Sequence, residues 1–79
     1  NPASKEFRLT YALENESHVV ATLYDVMGVK ITELINEKEI AGKQSRKFSL
    51  KETGISSGIY LLKISMEGIE TTQKIVFTE

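Results

Sequence analysis

The chain has 79 residues, enough for one domain and too few for two. Ten basic against eleven acidic residues leave a net charge of −1, and the basic residues are spread along the chain, which argues against nucleic-acid binding. The absence of cysteine excludes a disulfide framework and any thiolate metal site, and the longest apolar runs, such as Ile59 to Leu62 and Ile75 to Phe77, are far too short to span a membrane.

Asn1-Pro2-Ala3-Ser4 reads as the end of a linker, with the domain proper covering residues 5–79. No signal peptide starts at Asn1, and the missing initiator methionine is expected for a fragment of a longer protein. Phe7, Leu9, Tyr11 and Leu13 alternate with Arg8, Thr10 and Ala12, the period-2 pattern of a half-buried strand. Glu14 to Ser17 is turn-like. From His18 to Val26 a second strand places Val19, Ala21 and Leu23 on one face and Val20, Thr22 and Tyr24 on the other. Asp25-Val26-Met27-Gly28 then predicts a tight hairpin turn, with Asp at the favoured first position and Gly28 free to take a positive φ.

Val29 to Ile35 is ambiguous, because Ile31, Leu34 and Ile35 also fit helical spacing; a strand is expected because it completes the hairpin. Glu37-Lys38-Glu39 is expected to be exposed, and Ala41-Gly42 to turn the chain. Ser45 to Leu50 reads as a strand with Phe48 and Leu50 inward, and Gly54 to Gly58 as a loop. Tyr60, Leu62, Ile64 and Met66 share one face of the next strand, Glu67-Gly68 turns the chain, and Thr71 to Thr78 closes the fold with Ile75 and Phe77 inward. The expected fold is an all-β, immunoglobulin-like antiparallel sandwich of six to eight short strands.

Enzyme chemistry finds little support. The single His and single Asp, His18 and Asp25, lie seven residues apart on one strand, roughly 23 Å at about 3.3 Å per residue, beyond the reach of a catalytic triad. His18 has Glu14 and Glu16 nearby but no second His or Cys, which reads as an exposed strand residue and not a metal ligand. Glu33, Glu37, Glu39, Glu52 and Glu70 read as solubility residues, and the Asn15-Glu16-Ser17 sequon is too short a pattern to carry weight. Tyr11 and Tyr60 fall on apolar faces and read as core; Tyr24 alone is a surface candidate. No cofactor is expected.

Three features taken in order point further: the Asn1-Pro2-Ala3-Ser4 opening; Leu23 to Lys30, an apolar strand running into Asp-x-x-Gly; and Ile55-Ser56-Ser57-Gly58-Ile59-Tyr60-Leu61-Leu62-Lys63-Ile64, followed after a hairpin by Thr72-Gln73-Lys74-Ile75-Val76. In this order and spacing, over essentially the whole chain, the sequence resembles the type A C-terminal sorting domain of the type IX (Por) secretion system. Two departures are visible: Ser56 stands where the family commonly has proline, and the chain closes on Phe77-Thr78-Glu79 and not on lysine.

The resemblance implies a non-catalytic signal domain that directs an N-terminal cargo through the periplasm to the cell surface or medium. Its partners would be the outer-membrane translocon, a shuttle protein and a sortase-like peptidase that cuts before the domain. The family-motif positions carried over are Asp25, Gly28, Gly58 and Tyr60, all of which also have structural readings as turn and core residues. Recognition is expected on the exposed face and free edge of the last hairpin, including Lys63 and Lys74. Two other readings compete, a fibronectin- or immunoglobulin-like spacer and an accessory carbohydrate-binding module; a sandwich fold by itself does not separate them.

Overall fold

The computed structural model describes residues 2–3, 6–49 and 54–77. Its strands are β1 (Pro2–Ala3), β2 (Glu6–Leu13), β3 (Ser17–Asp25), β4 (Lys30–Glu39), β5 (Gly42–Ser49), β6 (Gly58–Met66) and β7 (Ile69–Phe77). They form two sheets, a five-stranded one in the order β1-β7-β6-β3-β4 and a two-stranded one pairing β2 with β5. All pairings are antiparallel except β1 with β7. The fold is the immunoglobulin-like β-sandwich that the alternation predicts.

Every second residue of β2, β3 and β6 is apolar, so pairing the backbone also gathers one apolar face per sheet. Leu9, Tyr11 and Leu13 of β2 face Val19, Ala21 and Leu23 of β3, Tyr60, Leu62 and Ile64 of β6, and Ile75 and Phe77 of β7, all buried in one core. Phe7 and Phe48, half-buried, close one end of it. Their rings lie 5.3 Å apart, and Phe7 lies 5.4 Å from Phe77, which in turn lies 5.4 Å from Tyr60. This tilted stack joins the two sheets at the end where β6 begins and β7 finishes.

The ambiguity of β4 has a structural cause. Opposite β3 it pairs Thr22 with Glu33 but Ala21 with Ile35, and Leu23 with Thr32 but Tyr24 with Lys30. Each shift inserts one residue into β4, Leu34 and then Ile31, and breaks strict alternation. Three apolar residues at helix-like spacing are therefore a doubly bulged strand: Ile35 is buried, Leu34 half-buried and Ile31 exposed.

Three expectations need revision. β4 continues to Glu39, and Glu39 is buried at 8% exposure, not solvated. β5 starts at Gly42, three residues before the expected Ser45. The closing strand starts at Ile69, two residues before the expected Thr71. The inward assignment of Leu50, the solubility assignment of Glu52 and the strand's expected end at Thr78 lie outside the described residues.

Candidate functional site

Asp25, Gly28, Gly58 and Tyr60, the positions expected to carry the family motif, lie at one end of the five-stranded sheet. Asp25, the last residue of β3, lies opposite Tyr60 of β6. Its carboxylate Oδ1 accepts hydrogen bonds from the backbone N–H of Met27 (2.9 Å) and Val29 (3.0 Å). Its backbone carbonyl accepts from Gly28 N–H at 3.1 Å, and its N–H donates to Val29 O at 2.9 Å. One side chain thus satisfies two turn amides that would otherwise need water, the Asx logic of Asp in turns. Gly28 closes the turn at φ +87°, a conformation that costs a residue with a Cβ about 1–2 kcal/mol.

Gly58 and Tyr60 act as a second unit. Gly58 has φ +153°, and a Cβ there would lie 3.7 Å from Cε2 of the Tyr60 ring, in ordinary contact, so backbone strain and not collision selects glycine. The Tyr60 hydroxyl donates to Ser56 O at 2.8 Å and holds the preceding loop against the aromatic stack. Tyr60 is 9% exposed, buried as its alternation predicts.

Lys63 and Lys74 stand on the opposite, outward face of the same sheet. Lys63 is paired with Thr72, and Lys74 with Leu61, so the two lysines are diagonal neighbours on adjacent strands. Lys63 is engaged twice: its ammonium lies 5.3 Å from the centre of the Tyr24 ring and 3.7 Å from Glu70 Oε1. Lys74 is exposed, and among the described residues it has no ion-pair partner. Tyr24, Gly28, Leu61, Lys63 and Thr72 border a shallow hollow of about 260 Å³ on this face.

Sequence reasoning missed the tip of the β3–β4 turn. Val26, Met27 and Val29 are 61%, 83% and 58% exposed, three apolar side chains held out on a turn that Asp25 makes rigid. The signal was present, because an Asp-x-x-Gly turn normally fills its middle positions with polar residues. It also missed the polar cluster at the far end of the sandwich. There the Tyr11 hydroxyl donates to Glu39 Oε1, Arg46 Nη1 donates to Glu39 Oε2 at 2.9 Å, and Arg46 also pairs with Glu37. Burial, and then the Glu39 carboxylate it serves, hold the Tyr11 phenol above its ordinary value. The Arg46 guanidinium, by hydrogen bond and by charge, holds the Glu37 carboxyl below its own.

His18 is exposed and shares a hydrogen bond with Asn36 Oδ1. Among the described residues no three His, Asp or Glu side chains gather where a metal ion could be held. No helix among them is long and apolar enough to cross a membrane.

A comparison with protein families matches residues 1–78 to the secretion system C-terminal sorting domain. The chain belongs to the type IX secretion C-terminal sorting domains. No curated protein and no solved structure matches it. The family is one of sorting-signal domains and not of catalytic ones. The spacer and carbohydrate-binding readings are not favoured by the match.

Proposed function

We propose that this domain directs the protein fused to its N-terminus through the type IX translocon to the cell surface or the medium, with a shuttle protein and a sortase-like peptidase as successive partners. The observation that carries the reading is the family match across residues 1–78. The signal is conformational: a partner reads a folded face and not a linear peptide. Lys63 and Lys74 on the outward face, with the β7 strand around Lys74, form one part of it. The rigid apolar tip of Val26, Met27 and Val29 forms the other, because a pre-ordered apolar group loses little entropy when it docks.

The test is a fluorescent reporter carrying a signal peptide at its start and this domain at its end, produced in a type IX-competent cell. Surface or medium fluorescence that disappears when the translocon is deleted supports the reading. Reporter held in the periplasm, with the domain intact and folded, overturns it. Normal export of a Lys74→Glu reporter that also lacks the last few residues would remove the β7 strand from the signal.

A further inference from the structure

The two edges of the five-stranded sheet are built differently. β4 defends its edge: two bulges interrupt its register, and Lys30, Glu33, Glu37 and Lys38 line it. β7 has no such defence. Its pairing with β6 runs unbroken from Met66–Ile69 to Gly58–Phe77. β1 covers its outer side only at Val76 and Phe77, so among the described residues Glu70 to Lys74 have no neighbour strand on that side. All five are exposed.

The Glu67-Gly68 turn sets which backbone groups point outward. Positive φ at both residues, +51° and +75°, makes it a two-residue type I′ hairpin, so Met66 and Ile69 form a hydrogen-bonded pair. Alternation then turns the N–H and C=O of Glu70, Thr72 and Lys74 away from β6. The side chains of these three residues lie on the outward face, in register with Ser65, Lys63 and Leu61.

The geometry points to a second copy of this chain as the partner of that edge. Two β7 strands set antiparallel about a twofold axis at Thr72 place Glu70 against Lys74 of the other copy, Thr72 against Thr72, and Lys74 against Glu70. Each of these positions is a backbone-bonding one, and both charged pairs are opposite in sign, so the edge is complementary to itself. The end of β1 at Pro2, beside Val76, limits the pairing to Glu70–Lys74. So short an interface gives a weak dimer, with Kd of about 10 µM–1 mM.

This self-pairing does not depend on the sorting role, and its test uses only the purified 79-residue chain. Sedimentation across the concentration range is expected to show a reversible dimer that weakens with salt. Glu70→Lys and Lys74→Glu each bring like charges together twice and raise Kd at least about tenfold. An equimolar mixture of the two variants restores opposite pairs and forms the heterodimer. Thr72→Pro, which removes an outward N–H, abolishes the dimer while circular dichroism shows the fold kept. A wild-type chain that stays monomeric at millimolar concentration overturns the proposal. So does a dimer that both single variants retain, or a mixture that gives no heterodimer.

Discussion

Glu39 brings a carboxylate into the interior at the point where the chain leaves one sheet for the other, and Tyr11 and Arg46 reach it from β2 and β5. Glu39→Ala would leave the buried Tyr11 hydroxyl without its acceptor and Arg46 with Glu37 alone, at an expected cost of about 1–3 kcal/mol in urea unfolding. Tyr11→Phe removes a single hydrogen bond and should cost about 1 kcal/mol. Met27, by contrast, is 83% exposed and packs on nothing that folding requires. Met27→Ser is therefore expected to leave stability within about 0.5 kcal/mol while lowering reporter export. Wild-type export of that variant would remove the turn tip from the signal.

At the scale of strands, the tilted ring stack ties β2 and β5 to β6 and β7. Phe77 is 1% exposed at its centre, and Phe77→Ala should cost about 3–5 kcal/mol, much of the stability of so small a domain. Thermal melting followed by circular dichroism measures this, and Phe77→Leu should lose far less. The alternating strands β2, β3 and β6 were legible in the sequence because a period of two and burial of one face are the same fact. The Asp25 turn was legible for a similar reason, since its hydrogen bonds all fall within five residues. Glu39 was not, because its burial depends on Tyr11, 28 residues away, and Arg46, seven away. Nor was β1, because parallel backbone pairing of two residues leaves no side-chain pattern. Order and spacing carried the family resemblance, but the apolar tip beside Asp25 was passed over as turn.

Across the whole molecule, Tyr11 and Glu37 each add a pH-dependent contribution to stability. The folded-state value of Tyr11 is raised above its ordinary 10.0, so its contribution is whole below about pH 10 and is lost as pH climbs through the folded value. The folded-state value of Glu37 is lowered from 4.5, so its contribution is present above that pH and is lost as acid protonates it. Unfolding midpoints measured against pH should form a plateau that falls on both sides. Tyr11→Phe is expected to flatten the alkaline limb and Glu37→Gln the acidic one.

The same molecule has its entry and exit at one end, since β1 runs beside the last two residues of β7 and in the same direction. A pull on Pro2 from a preceding domain, opposed by a grip beyond Phe77, slides these two strands lengthwise past each other. Their hydrogen bonds then share the load together and do not open one at a time like a zip. Traction applied through the two ends would therefore meet a small clasp before it reached the core.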